Sequence, residues 1–104
     1  MKDYNILVID DEATQRDVLT GYLKKKGYKI FSASSGREGI EIAGRNPVDI
    51  ILSDFKMPDL NGIEVLEQVK KINPEISFVI VTAYGTVENA VKAMRLGAFD
   101  YISK

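Results

Sequence analysis

Three short, uninterrupted apolar runs constrain the fold of this chain more than any other feature of its sequence. They occupy residues 5–10, 49–54 and 78–82 and are rich in isoleucine, valine and leucine. Such runs are typical of strands buried on both faces, as in a parallel sheet, because a half-solvated strand alternates apolar and polar residues. Two segments with more polar residues, 29–33 and 99–103, are typical of edge strands. The sequence therefore predicts five strands in one parallel sheet.

Helical patterns separate the strands and have recognisable ends. The first repeats apolar residues at helical spacing before Gly27, the second begins with the capping-box segment Ser35–Glu38, and the third spans residues 61–73. A fourth begins at Thr86 and ends at Gly97. We expect this fourth helix to turn the following residues towards the core: Val87, Ala90, Val91 and Met94. Strand and helix alternate four times before the last strand, which predicts an α/β fold, a doubly wound parallel sheet with right-handed crossovers.

The composition excludes several classes of chemistry. The 104 residues are enough for one domain and include neither cysteine nor histidine, which rules out disulfides, thiolate zinc sites and histidine-based catalytic triads. Fourteen basic and fifteen acidic residues leave a net charge of −1, which argues against direct nucleic-acid binding and a polybasic membrane patch. Because no apolar run reaches the roughly 20 residues of a membrane span and the N-terminus lacks a signal peptide, we expect a cytoplasmic protein.

Ionisable and hydroxyl side chains lie where the predicted strands end. Asp10 and Asp11 follow the first run, Asp54 ends the third strand, and Thr82 and Lys104 end the fourth and the fifth. Because ligands of an open parallel sheet bind beyond the carboxyl ends of its strands, we expect these side chains to converge. The carboxylates would repel one another unless a cation neutralised them, and Mg²⁺ prefers such oxygen ligands. A carboxylate beside Mg²⁺ can act as a nucleophile towards a phosphoryl group, with Thr82 and Lys104 at the phosphoryl oxygens.

Four segments, in this order along the chain, carry a resemblance to a known family. They are Val8–Glu12 with its acidic pair, Ser53–Pro58 followed by Asn61-Gly62, Thr82–Gly85, and Gly97–Lys104. The ordered set resembles the receiver domains of two-component response regulators over the whole chain. Residues 84–98 are similar to the receivers of nitrogen-regulatory-type, sigma-54-dependent transcription activators.

The resemblance implies a flavodoxin-like strand order 2-1-3-4-5 and a role for each matching residue. It implies Asp54 as the phosphoacceptor and Mg²⁺ bound by Asp11, Asp54 and the backbone carbonyl of Lys56, with Asp10 contributing through water. Thr82 and Tyr101 would form the switch pair, and Lys104 would contact the phosphate. The implied partner is a sensor histidine kinase, the implied output is transcription regulation, and any catalysis would be limited to the domain's own phosphorylation and dephosphorylation.

Two further predictions concern residues near the acidic site. We expect the kinase to dock on the first helix through Thr14, Gln15 and Val18, although Val18 could instead be a core residue. We expect Lys56 and Tyr84, each two residues beyond a site residue, to control the access of water and so the lifetime of the phosphoryl group.

The family's fifth helix has no counterpart in residues 1–104. We therefore expect a receiver domain truncated after its fifth strand, with an apolar face exposed beside the first helix. Such a chain should be less stable than an extended version and should self-associate.

Several alternative functions share this fold class or this chemistry. An FMN site would need a phosphate-binding loop where Asp11-Glu12 stands, a dinucleotide site would need G-x-G-x-x-G there, and a haloacid-dehalogenase-type phosphatase would need D-x-D at Asp54. Taken singly, each site residue is more often a structural turn, strand or surface residue. The main alternative is a pseudo-receiver, an interaction module that is not phosphorylated.

Overall fold

The computed structural model describes residues 4–83 and 85–103. Within these residues five strands alternate with four helices. The strands are β1 (Asn5–Ile9), β2 (Lys29–Ala33), β3 (Ile50–Ser53), β4 (Ser77–Thr82) and β5 (Asp100–Ser103). The helices are α1 (Ala13–Lys25), α2 (Gly36–Arg45), α3 (Gly62–Ile72) and α4 (Val87–Arg95). The predicted alternation of strands and helices is confirmed, and no helix follows β5 in the described part of the chain.

All five strands are parallel and follow the order β2-β1-β3-β4-β5. The doubly wound sheet and the flavodoxin-like order are therefore confirmed, with β2 and β5 at the edges as predicted. In the register of the central strands, Ile9 pairs with Ser53, and Ser53 pairs with Ile80. The strand ends consequently lie side by side, so that residues following β1 and β3 meet at one edge of the sheet.

The main core lies between the sheet and helices α2, α3 and α4. Alternate strand residues such as Leu7, Ile51 and Phe78 are fully buried there, because successive strand side chains point to opposite faces. Helix α3 contributes Leu66 and Val69, which are also fully buried. Among the four helices, α3 has the largest number of buried residues, because its apolar stripe is continuous.

The predicted inward face of α4 is wrong. Val87, Val91 and Met94 are 80%, 44% and 48% exposed, and Ala90 is only partly buried. The fully buried residue of this helix is Ala93 instead. Two apolar stripes are available on α4, and the helix packs against the core through the one that includes Ala93 and continues to Leu96. The larger side chains therefore remain at the surface.

The helix ends match the predicted signals with one difference. Gly27 and Gly97 adopt positive φ angles of 95° and 100° after α1 and α4, as expected for C-terminal glycines. At the start of α2, the Ser35 hydroxyl accepts a hydrogen bond from the Glu38 amide (3.1 Å), but the Glu38 carboxylate accepts from the Ser34 amide (2.6 Å). The first hydrogen bond of the predicted capping box is therefore present, but the return bond of Glu38 goes to Ser34 in place of Ser35. A complete capping box forms at the start of α3, between Asn61 and Glu64.

The opposite face of the sheet carries α1 and an apolar groove of about 460 Å³. Val8, Leu52 and Val81 of the sheet line it, together with Val18 and Tyr22 of α1. Val18 and Tyr22 are 69% and 58% exposed. Among the described residues, none of the helices has the length and hydropathy needed to cross a bilayer.

Candidate functional site

Three carboxylates meet at the carboxyl edge of the sheet. One oxygen atom from each of Asp10, Asp11 and Asp54 can be chosen such that all three lie within 4.8 Å of one another. Asp10 and Asp54 are each only 7% exposed, whereas Asp11 is exposed. The predicted convergence of the acidic residues therefore occurs in the structure, and it follows from the pairing of β1 with β3.

The turn after β1 is held by hydrogen bonds to Asp10. The Asp10 amide donates to the Ala33 carbonyl at 3.1 Å, which continues the ladder between β1 and β2. The Glu12 amide donates to Asp10 Oδ1 at 2.9 Å, and Arg16 Nη1 donates to the Asp10 carbonyl at 2.8 Å. These contacts fix both the carboxylate and the backbone of Asp10, so that Asp11 projects at the edge of the site.

Asp54 is held in the same way at the end of β3. Its amide donates to the Ile9 carbonyl at 2.9 Å, and its carbonyl accepts a hydrogen bond from the buried Ser53 hydroxyl at 2.9 Å. Its Oδ1 atom accepts from the Phe55 amide at 2.7 Å. The orientation of the Asp54 carboxylate is therefore set before any ligand arrives.

Helix α3 begins directly against the backbone of Asp54. The Gly62 amide donates to the Phe55 carbonyl at 2.7 Å. A β-carbon at Gly62 would lie 2.8 Å from the Asp54 carbonyl oxygen and 3.1 Å from Phe55 Cα. Only glycine allows this close approach, which explains why Gly62 follows the helix-capping residue Asn61 next to the acidic site.

A small groove of about 320 Å³ opens beside the carboxylates. The residues that line it come from the turns after β1 and β3: Asp11, Glu12, Asp54, Lys56, Met57 and Pro58. Lys56 is exposed at its rim, while Met57 is 9% exposed and reaches into the core. The groove thus opens the acidic site to solvent beside Asp54.

The predicted switch residues occupy β4 and β5. Thr82 is fully buried at the end of β4. Tyr101 is half-buried, and its hydroxyl group has no hydrogen-bond partner among the described residues. Burial raises the pKa of the Tyr101 phenol above its ordinary value of 10.0; the nearby Thr86 backbone and Asn89 side chain lower it in part, and the charge of Asp54 raises it. Two predicted residues, Lys104 and Tyr84, lie outside the described residues.

The three predicted docking residues lie on one side of α1. Thr14 and Gln15 are exposed and, with Val18, line the apolar groove that also reaches Asp10 and Asp54. The alternative placement of Val18 in the core is wrong, because most of its side chain is exposed. This face is therefore accessible and borders the acidic site.

Sequence reasoning missed one hydrogen-bonded carboxylate in the loop that carries Lys56, namely Asp59. It lies in the loop between β3 and α3, and its two oxygens accept hydrogen bonds from the Gly36 amide (3.1 Å) and the Arg37 amide (2.9 Å). Desolvation alone would raise the pKa of Asp59, but the amides of Arg37 and Gly36 outweigh it and hold the pKa below its ordinary value of 3.8. No local pattern indicates this contact, because the partners are more than 20 residues away in sequence.

The donor set of the acidic cluster fits a hard divalent cation. Its side chains offer only carboxylate oxygens, and the chain has no cysteine or histidine that would favour a softer metal. Partial exposure through Asp11 leaves room for the water ligands that Mg²⁺ retains. The residues present therefore fit Mg²⁺.

Comparisons with known proteins agree with this geometry. Residues 6–104 match the family model described as the response regulator receiver domain. The transcriptional regulatory protein ZraR of Escherichia coli is 39% identical over 100 residues, which cover 96% of this chain and 23% of that protein. The chain thus spans about a quarter of the length of this relative.

Solved structures of receiver domains are also similar to this chain. A receiver domain protein from Methanospirillum hungatei superimposes with a TM-score of 0.94 at 33% identity, covering 97% of this chain and 81% of that one. The beryllofluoride-activated NtrC4 receiver domain dimer superimposes with a TM-score of 0.89 at 30% identity, covering 96% and 83%. The similarity to ZraR and NtrC4 supports the resemblance to nitrogen-regulatory-type receivers.

Proposed function

Because the chain belongs to the family of response regulator receiver domains, we propose that it is a phosphorylation-dependent switch with Asp54 as its phosphoacceptor. The observation that carries this proposal is the convergence of Asp10, Asp11 and Asp54 beside an open groove. Mutually repelling carboxylates are unfavourable without a compensating ligand, so their convergence favours a functional site over a structural one.

We assign Asp11, Asp54 and the backbone carbonyl of Lys56 as Mg²⁺ ligands, with Asp10 acting through water. When bound, the cation would neutralise negative charge on the phosphoryl oxygens. Asp10 and Asp54 are buried and hydrogen-bonded, which suits a preformed site, whereas exposed Asp11 gives the cation a route from solvent. Lys104 is the proposed second positive contact of the phosphoryl group.

The proposed reaction transfers a phosphoryl group from a phosphohistidine of a sensor histidine kinase. A carboxylate oxygen of Asp54 attacks the phosphorus atom, the new P–O bond forms as the P–N bond breaks, and the imidazole leaves with the bonding electron pair. The hydrogen bond from the Phe55 amide to Asp54 Oδ1 orients the carboxylate for this attack. Water later cleaves the acyl phosphate and restores Asp54.

The phosphorylated state would be relayed through Thr82 and Tyr101. The Thr82 hydroxyl lies at the end of the strand next to Asp54 and can donate to a phosphoryl oxygen. A shift of Thr82 towards the phosphoryl group would change the space available to Tyr101 on the neighbouring strand. The half-buried Tyr101 ring packs against the hydrophobic core, so a change in the space beside it would be met by a new ring position.

The direct test is intact-mass measurement after incubation with Mg²⁺ and acetyl phosphate. The parent protein should gain one base-labile phosphoryl group only when Mg²⁺ is present, and Asp54→Asn should gain none. Equal labelling of parent and Asp54→Asn would refute the assignment. No labelling of the correctly folded parent would favour the pseudo-receiver alternative.

We further propose that the kinase docks on α1 through Thr14, Gln15 and Val18. These residues are exposed and share a groove with Asp10 and Asp54, so a kinase bound there could present its histidine to the site. Thr14→Glu with Gln15→Glu should slow transfer from the cognate kinase while labelling by acetyl phosphate stays at the parent rate. Equal transfer from the kinase would place docking elsewhere.

For the longer protein in which a domain of this type functions, we propose transcription regulation as the output. ZraR, of which this chain matches 23%, is a transcriptional regulatory protein. We also propose that this domain self-associates, as the activated NtrC4 receiver domain was solved as a dimer. Sedimentation with and without beryllofluoride would test this, and a monomer under both conditions at high concentration would refute it.

A further inference from the structure

We propose that Asp59 is a positioning residue of the metal and phosphoryl site, which holds the β3–α3 loop against the first turn of α2. This inference rests on the proposed function, because it assigns a role in the binding of Mg²⁺ by the Lys56 carbonyl. Asp59 touches neither the carboxylate cluster nor the expected phosphoryl group, so its effect passes through the loop.

The loop is fixed at three points. The first point joins the two ends of the loop, where the Gly62 amide donates to the Phe55 carbonyl at 2.7 Å. In its middle, the Met57 side chain is 9% exposed and belongs to the hydrophobic core. Beyond it, Asp59 accepts hydrogen bonds from the Gly36 and Arg37 amides at 3.1 and 2.9 Å. Lys56 lies between the first and second points, so the position of its carbonyl depends on this loop.

The Asp59 contact suits a fixed anchor. The first amides of a helix have no partner within the helix and carry a partial positive charge, so a carboxylate binds them well. Ser35 and Glu38 cap α2 without using its first two amides, because the Ser35 hydroxyl accepts from the Glu38 amide and the Glu38 carboxylate accepts from the Ser34 amide. The Gly36 and Arg37 amides are therefore available to Asp59. Asp59 therefore links two elements that the sheet alone does not hold together at this edge.

Close packing beside the anchor makes the link stiff. A β-carbon at Gly36 would lie 2.9 Å from Val65 Cγ2 and 3.0 Å from Leu60 Cβ. The start of α2 thus lies against the residue that follows Asp59 and against α3. Without the Asp59 carboxylate, residues 58–61 would retain apolar contacts but lose the hydrogen bonds that tie this loop to the Gly36 and Arg37 amides of α2.

The test compares the Mg²⁺ affinity of Asp59→Ala with that of a matched control, Glu38→Ala. Both variants remove a carboxylate that accepts from a backbone amide at the start of α2, but only Asp59 lies in the β3–α3 loop. Calorimetric titration with Mg²⁺ alone should show about tenfold weaker binding for Asp59→Ala, the low end of the effect of supporting residues on metal affinity. Glu38→Ala should stay within about twofold of the parent.

A second readout separates positioning from general loss of structure. For Asp59→Ala, the Mg²⁺ concentration that gives half the maximal rate of labelling by acetyl phosphate should rise, while the rate at saturating Mg²⁺ should return to the parent value. Asp59→Asn, which keeps one acceptor oxygen, should fall between parent and Asp59→Ala in affinity. If Asp59→Ala does not fold, the same comparison between Asp59→Asn and Glu38→Gln decides.

Two outcomes would overturn the inference. One is parent-like Mg²⁺ affinity of the Asp59 variants, and the other is equal weakening by the Asp59 and Glu38 variants, which would indicate a general effect of α2. Either result, with normal Mg²⁺ binding and labelling of the parent, leaves the proposed function intact. A folded parent that neither binds Mg²⁺ nor accepts phosphate would refute both proposals.

Discussion

Replacing Gly62 by alanine should destabilise the domain through a clash with the backbone at Asp54. The added β-carbon would lie 2.8 Å from the Asp54 carbonyl oxygen and 3.1 Å from Phe55 Cα, both well inside van der Waals contact. Neither atom can move by a change of rotamer, so α3 or the end of β3 must shift. Overpacking of this kind costs about 1–3 kcal/mol in free energy of unfolding. For a domain of this size, each 1 kcal/mol lowers the Tm by about 4–8 °C.

Gly21→Ala is the matched control, because it makes the same chemical change where there is space. Gly21 lies inside α1, and a β-carbon there would meet no atom within 4 Å. Alanine should stabilise this helix position by about 0.5–1 kcal/mol, since glycine loses more backbone entropy on folding. The two variants should therefore move the Tm in opposite directions.

Thermal and urea unfolding of the parent and both variants would measure the difference. Labelling by acetyl phosphate should also slow in Gly62→Ala, because the displaced backbone carries Asp54, and should be unchanged in Gly21→Ala. If Gly62→Ala were as stable as Gly21→Ala and were labelled at the parent rate, the close approach of α3 to Asp54 would have no energetic role and the reasoning would fail.

Three further predictions address individual side chains. Asp11→Ala should weaken Mg²⁺ binding by at least about tenfold, whereas Glu12→Ala should have little effect, because only Asp11 belongs to the carboxylate cluster; calorimetry giving equal affinities would refute this. Lys56→Ala should change the rate of dephosphorylation more than the rate of phosphorylation, because Lys56 lines the groove beside Asp54 and would limit the approach of water there; matching changes in both rates would contradict this prediction. Because burial raises the pKa of Tyr101 in the folded state, the unfolded chain loses this proton first, and stability should fall as pH rises above about 10. In Tyr101→Phe, the free energy of unfolding measured with urea should fall less steeply with pH than in the parent. Identical dependence on pH in the two proteins would show that Tyr101 is not the group responsible.

The sequence predicts the sheet and the site for the same reason. Uninterrupted apolar runs at residues 5–10 and 49–54 indicate strands buried on both faces, and parallel strands bring their carboxyl ends to one edge. Asp10 and Asp54 could therefore be placed together without any knowledge of side-chain geometry. The structure adds how the two carboxylates are held, which depends on amides and hydroxyls whose partners are set only by the fold.

Other features could not be predicted because they depend on choices between near-equal alternatives or on distant contacts. Helix α4 has two apolar stripes, and only packing against the sheet selects the one through Ala93 over the one through Val91. The Glu38 carboxylate could reach either of two amides, and it accepts from that of Ser34. The contact of Asp59 with α2 joins segments more than 20 residues apart, which no local periodicity reports.

If the three converging carboxylates bind a cation as proposed, the stability of the fold would also depend on the ionic composition of the surroundings. Their oxygens lie within 4.8 Å of one another in the folded state, whereas the unfolded chain can separate them. A cation that binds only the folded state adds about 1.4 kcal/mol of stability at ten times its Kd and about 2.7 kcal/mol at a hundred times. Against the 5–15 kcal/mol that typically separates folded from unfolded domains, this is a substantial share. The resistance of such a domain to unfolding, and with it to proteolysis, would then follow the concentration of free divalent cation.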